Sequence, residues 1–148
     1  MNEKSVLKTF LWYQDDLEGA LAFYKDIFND VEIREENSMN DKLFTADFTI
    51  FGHEFIGMSV QGGEAFNSSI SLSLQVDGQE ETDRLWDAIT KDGEAGLCGW
   101  CKDKWGVSWQ ITPIQMRDYL GNPDPEKAQQ NWGILRNMGK IQLSDFVV

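Results

Sequence analysis

The sequence predicts an α+β fold: two βαβββ modules forming a curved mixed-sheet cup, plus a C-terminal helix. Three observations predict it. A strand-then-helix pattern occurs twice, each of those helices carries one apolar stripe, and a further helix with its own start signal follows the second copy. The copies align Thr9 with Ser71, Asp15 with Asp77 and Tyr24 with Trp86, an offset of 62 each time. Internal repetition of this kind marks a supersecondary unit that cannot bury its apolar face alone.

In the first copy the alternating run Thr9–Tyr13 reads as a strand, and Asp15 or Asp16 as the helix N-cap. A short acid there accepts a hydrogen bond from a free amide of the first turn. Leu17, Ala20, Leu21, Tyr24, Ile27 and Phe28 then recur at helical spacing and form one stripe. Strands are expected over Val31–Glu36, Leu43–Phe51 and Glu54–Gln61, with Asn37–Asp41 as a turn. In the second copy Ser71–Val76 is the strand, Asp77 the cap, Thr82, Leu85, Trp86 and Ile89 the stripe, and Gly93 the stop. Ala95–Cys101 and Val107–Pro113 complete it around a turn at Lys102–Gly106. Phe51-Gly52 and Trp105-Gly106 occupy matching hairpins, where glycine supplies a positive φ.

The organisation read from this is a single domain over 1–148: module one at 5–61, a linker at 62–68, module two at 69–114 and a helical tail at 115–148. In the tail, Asp124 caps and Pro125 opens a helix whose stripe is expected to be Ala128, Trp132, Leu135 and Met138. That stripe needs a cover, either its own sheet or a second subunit, and a homodimer aided by the tail is the expectation.

With 148 residues the chain can bury a full core without disulfides or a structural metal. Thirteen basic against twenty-five acidic residues give a net charge of −12, which opposes phosphate-backbone binding and anionic membranes. No apolar run is long enough to span a bilayer, and the first residues lack the apolar core of a secretory signal, so a cytoplasmic location is expected. A small molecule is the expected partner.

Strand alternation separates two faces. Phe10, Trp12, Leu72, Leu74, Val76, Val107, Trp109 and Ile111 are expected beneath the helices. Thr9, Leu11, Tyr13, Ser71, Ser73, Gln75, Ser108, Gln110 and Thr112 then share the other face, whose small hydrogen-bonding side chains suit either a ligand cup or a solvated sheet surface. Cys98-Gly-Trp-Cys101 has the spacing of a redox motif but falls in a predicted strand or hairpin, not at a helix N-terminus, and lacks a second ligand pair for zinc. His53, the one histidine, sits beside Gly52 in a turn, and Glu54 and Asp103 read as solvated turn carboxylates.

The segments Thr9-Phe-Leu-Trp12, Ala22-Phe-Tyr-Lys-Asp-Ile-Phe28, Gly62-Gly63 with Phe66, Gln79–Trp86, Cys98–Pro113 and Asp124–Ala128 resemble the PhnB-like group of the glyoxalase and bleomycin-resistance superfamily, also called vicinal oxygen chelate or dioxygenase superfamily. The resemblance covers nearly the whole chain and is most specific from Cys98 to Pro113. It implies a divalent-metal site whose positions fall on Thr9, Ile56, Ser71 and Gln110, and it places Cys98 and Trp100 in the pocket wall. Neutral hydroxyls, an amide and an isoleucine are poor ligands for a dication, so no metal or other cofactor and no catalytic residue is assigned. The expected ligand-binding set is Thr9, Leu11, Tyr13, Ser71, Ser73, Cys98, Trp100 and Gln110. Three functions remain: a small-molecule binding protein, a lyase, isomerase or dioxygenase-like enzyme with an altered metal site, and the 3-demethylubiquinone-9 3-methyltransferase whose name the group often carries. The third would need a glycine-rich strand-to-helix loop for a nucleotide-like cofactor, and none is present.

Overall fold

A computed structural model describes residues 4–148. The chain divides into two compact units, Met1–Ala65 and Phe66–Val148. Each contains one four-stranded mixed sheet.

In the first unit, β1 (Thr9–Tyr13), α1 (Leu17–Ile27), β2 (Val31–Met39), β3 (Lys42–Ile50) and β4 (His53–Ser59) build a sheet of order β1-β4-β3-β2. β1 runs parallel to β4, and the other pairs are antiparallel. The right-handed helix that joins β1 to the rest lies on one face, as a crossover before a parallel pair requires. The α1 stripe is the expected one: Leu17, Ala20, Leu21, Tyr24, Ile27 and Phe28 are all buried. Each such apolar side chain contributes roughly 1.5–3 kcal/mol by leaving water. β2 runs past the expected end at Glu36, and the turn contracts to Asn40 and Asp41, both with positive φ.

The strand faces of β1 are the reverse of those expected. Leu11 and Tyr13 are buried, whereas Phe10 and Trp12 are 50% and 46% exposed. Tyr13 lies beneath α1, with its hydroxyl 2.9 Å from that of Tyr24. Leu11 is in register with Gly57, where an added Cβ would meet the Leu17 side chain. The cause is a slip in the repeat. The strand ends Tyr13 and Val76 differ by 63, while the helix caps Asp16 and Asp77 differ by 61, so the sequence offset of 62 fits neither. A one-residue shift moves every strand side chain to the other face.

In the second unit, β5 (Leu72–Val76), α2 (Gly78–Thr90), β6 (Glu94–Ala95), β7 (Trp100–Lys102) and β8 (Ser108–Pro113) give a sheet of order β5-β8-β7-β6, again with one parallel pair, β5 with β8. Here the expected faces hold: Val76, Val107, Trp109 and Ile111 are buried with Thr82, Leu85, Trp86 and Ile89 of α2. The expected strand Ala95–Cys101 is broken. Cys98 and Gly99 both take positive φ, and the ladder resumes only at Trp100.

The tail comprises α3 (Met116–Leu120), α4 (Pro125–Arg136) and a 3₁₀ turn at Leu143–Asp145. Asp124 caps α4 as expected, accepting from the Glu126 amide at 3.0 Å. The stripe differs from expectation, because Trp132 is 49% exposed and Asn131 is fully buried in its place. The Asn131 amide donates to the Tyr119 and Val147 carbonyls and accepts from the Val147 amide, a set of partners far along the chain. Leu135, Met138, Ile141 and Phe146 form the tail's own cluster, joined by Cys98, Met116, Tyr119 and Leu143. The tail is therefore covered within its own unit.

Candidate functional site

The face of the second sheet opposite α2 carries rows of side chains set by strand register. Ser73 of β5, Gln110 of β8 and Trp100 of β7 are aligned in one row. The Gln110 amide donates to Ser71 Oγ at 2.8 Å. Gln75 and Thr112 are aligned in the next row along. On the other side, Ser108, Lys102 and Glu94 form a row across β8, β7 and β6. These rows follow from alternation, since Leu72, Trp109 and Cys101 between them face α2.

The Ser108–Lys102–Glu94 row and Trp100 edge a cavity of about 160 Å³, lined also by Ser68 and Gly96 among others. Ser108 is 3% exposed and its Oγ has no hydrogen-bond partner. A buried hydroxyl without a partner is uncommon in folded proteins and marks a place where a polar atom is needed.

The structure therefore brings together Ser71, Ser73, Trp100 and Gln110 of the expected set. Thr9, Leu11 and Tyr13 belong to the first unit and lie on the helix side of its sheet. Leu11 and Tyr13 are core residues. Thr9 Oγ1 is 2.9 Å from His53 Nε2, and the imidazole packs on Phe55. Cys98 turns to the tail: its amide donates to the Met138 carbonyl at 2.7 Å and its thiol to the Leu135 carbonyl at 3.4 Å. Cys101 is buried on the α2 side, and burial, with Asp103 nearby, pushes its thiol up to about 12. That thiol stays protonated at neutral pH, which is the opposite of a redox-active cysteine.

Asp103 departs from its expected role as a solvated turn acid. It is 2% exposed and accepts from the Trp105 and Val107 amides and the Trp109 indole N–H, each at 3.0 Å. It holds the β7–β8 turn closed. Lys102, Glu94 and Ser68 lie outside the expected site, because the sequence places Lys102 in a turn and Ser68 in the linker and the two-residue strand β6 is too short to show an alternation at Glu94.

The first sheet's face opposite α1 has another character. Phe10, Trp12, Ile56 and Met58 are paired in register across β1 and β4. Ion pairs flank them, Lys8–Asp47 at 2.9 Å and Arg34–Glu54 at 3.0 Å. The hydrogen bond to Asp47 holds the Lys8 ammonium above its usual range.

The four positions implied for a divalent metal do not fit one. Thr9 and Ile56 point to opposite faces of the first sheet, since Ile56 pairs with Phe10 and Thr9 with Phe55. Ser71 and Gln110 are bonded to each other. Among the described residues no group of three or more His, Cys, Asp or Glu side chains could hold a metal ion. A dication at these neutral groups would lose more hydration than they return.

Two βαβββ units, each with one parallel pair and a helix on one face, give the chain a glyoxalase-like fold. It belongs to the family described as 3-demethylubiquinone-9 3-methyltransferase, whose model matches residues 5–112. A PhnB protein from Bacillus cereus that carries the same methyltransferase name is similar over 74% of this chain and 100% of its own, at 27% identity and a TM-score of 0.68. Protein PA1353 from Pseudomonas aeruginosa is similar in fold over 73% of this chain and 98% of its own, at 18% identity and a TM-score of 0.59. The fosfomycin resistance protein FosX from Listeria monocytogenes shares the fold over 79% of this chain and 97% of its own, at 18% identity and a TM-score of 0.60. No curated protein sequence matches this one. The tail from residue 115 onward lies beyond the family match.

Proposed function

We propose that this chain is a small-molecule binding protein whose site is the open face of module two, with no resident divalent metal. The observation that carries the reading is the row Ser73, Gln110 and Trp100, with Ser71 bonded to Gln110, which meets at Trp100 a cavity also lined by Ser108, whose hydroxyl is unpartnered. Hydrogen-bonding side chains beside one large aromatic suit a polar or amphipathic ligand. The thiol at the cavity, Cys101, is held protonated, so sequestration or sensing is favoured over turnover. Methyl transfer has less support: each sheet holds a single parallel pair, whereas a nucleotide-like methyl donor is usually bound at the strand ends of a doubly wound parallel sheet. The net charge of −12 argues against nucleic acid as a partner. No helix among the described residues is long and apolar enough to cross a membrane. A cytoplasmic homodimer stays part of this proposal, with the half-exposed Trp132 of α4, not the covered cluster, as the tail surface open to a second copy.

The test is metal content of untagged protein, combined with thermal shifts on adding Zn²⁺, Ni²⁺, Mn²⁺, Fe²⁺ or Mg²⁺. A ligand specific to the native state raises the melting temperature once its concentration exceeds its Kd. Stoichiometric metal or a clear shift would replace this reading with that of a metal-dependent superfamily enzyme. With neither, a library of polar metabolites should yield a molecule whose stabilisation is lost in Gln110→Ala.

A further inference from the structure

We infer that the cavity along Ser108, Lys102 and Glu94 is a subsite for a small zwitterion, with its anionic group at Lys102 and Ser108 and its ammonium at Glu94. The inference rests on the binding reading above and names the ligand class.

Strand register places Lys102 between Glu94 and Ser108, so a cation, an anion and a hydroxyl lie side by side on three adjacent strands. All three line the cavity. Glu94 and Lys102 are partners in register, yet they form no ion pair with each other or with any other described residue. Ser108 is 3% exposed with an unpartnered Oγ. Such a group carries a desolvation cost that a ligand atom can remove. A hydroxyl can donate to a carboxylate while a lysine ammonium supplies up to three further donors.

A ligand with one charge would answer only one of the two unpaired side chains, the half-buried Lys102 or the exposed Glu94. A zwitterion answers both. It also carries no net charge, so the field of a −12 chain does not repel it. A cavity of about 160 Å³ equals the liquid volume of roughly five waters, the size of a short α-amino acid. The Trp100 indole supplies the apolar wall beside the charges and a face on which an ammonium is attracted.

The experiment is calorimetric titration of the full chain with L-alanine, propionate and ethylamine, where the last two carry one charge each. L-alanine should bind saturably, with propionate and ethylamine at least about tenfold weaker. Ser108→Ala should weaken L-alanine by roughly ten- to a hundredfold, the usual effect of losing a hydrogen bond to a charged group. The unliganded variant should melt no lower than the parent, because it loses a hydroxyl that the fold does not use. Propionate binding as tightly as L-alanine, no saturable heat with L-alanine, or a lower melting temperature for Ser108→Ala would each overturn the inference. Amide NMR shifts separate it from the broader reading. A screened molecule that perturbs Ser73 and Gln110 but leaves Ser108 and Lys102 unmoved keeps the binding reading and removes this one. Silence in both rows removes both.

Discussion

In module one, Gln14 and Asp15 separate the end of β1 from the N-cap Asp16, whereas in module two Val76 is followed at once by the N-cap Asp77. The two junctions are capped differently. Asp16 adopts a left-handed conformation and accepts from its own helix, at the Gly19 amide, 3.1 Å away. Asp77 makes no side-chain cap bond. Gln115, from beyond β8, receives the Gly78 amide at 3.0 Å and donates to Asp77 at 2.6 Å. Gln79 likewise reaches the Ile141 carbonyl and the Leu143 amide. Module one thus completes its helix start from within, with Ser59 Oγ of β4 accepting from the Leu17 amide at 3.2 Å, and module two does so through the tail. Two copies of one plan can keep the same apolar stripe while differing in what completes them.

The sharpest way to break this comparison is to remove the tail. A chain ending at Ile114 loses Leu135, Met138, Ile141 and Phe146 from the core, at roughly 1.5–3 kcal/mol each, which approaches the whole stability of an ordinary domain. Module two should then lose its dispersed NMR signals while module one keeps them. An unchanged spectrum for module two would refute the dependence. Next in size is the face reversal in β1. Tyr13→Ala should cost about 3–5 kcal/mol, as large aromatic truncations in a core do, while its neighbour Trp12→Ala should cost under about 1 kcal/mol. Denaturant unfolding of the two variants checks this, and equal costs would return both residues to the same environment.

Asp103→Ala should cost about 2–4 kcal/mol, since two amides and an indole N–H lose their acceptor. Asp16→Ala, at an exposed cap, should cost about 1 kcal/mol by the same measurement. The smallest effect concerns Asp83, whose carboxyl is held below its usual range first by Gln79 and then by Lys140. A depressed carboxyl gives stability that is present above its unfolded pKa near 4 and lost as pH falls through the lower folded value. Because this group is exposed, the difference between parent and Asp83→Asn should stay below about 1 kcal/mol at pH 7 and vanish toward pH 2.

The stripes of α1 and α2 and the inner face of module two were legible because periodicity alone determines them. The apolar character of Phe10 and Trp12 does not report burial, and Tyr13 is the residue whose ring is covered and whose hydroxyl finds Tyr24. Asn131 and Asp103 were illegible for another reason. Their burial depends on Tyr119, Val147 and Trp109, partners that no local pattern announces. At the candidate site, Ser73, Gln110 and Trp100 followed from alternation and resemblance, but the row through Glu94 required the register of a two-residue strand.

The loop before Trp100 has one consequence in the order of synthesis. Its Cys98 and Gly99 amides are answered by the carbonyls of Met138 and Gly139. A ribosome adds on the order of 5–20 residues each second. The strands of the first sheet are complete by Ser59, so that sheet and its helix can close while the rest is still being made. The second sheet has to wait some forty residues past that loop, until Met138 and Gly139 have emerged. During that interval the strand carrying Trp100 is the part of the nascent chain most open to wrong pairing.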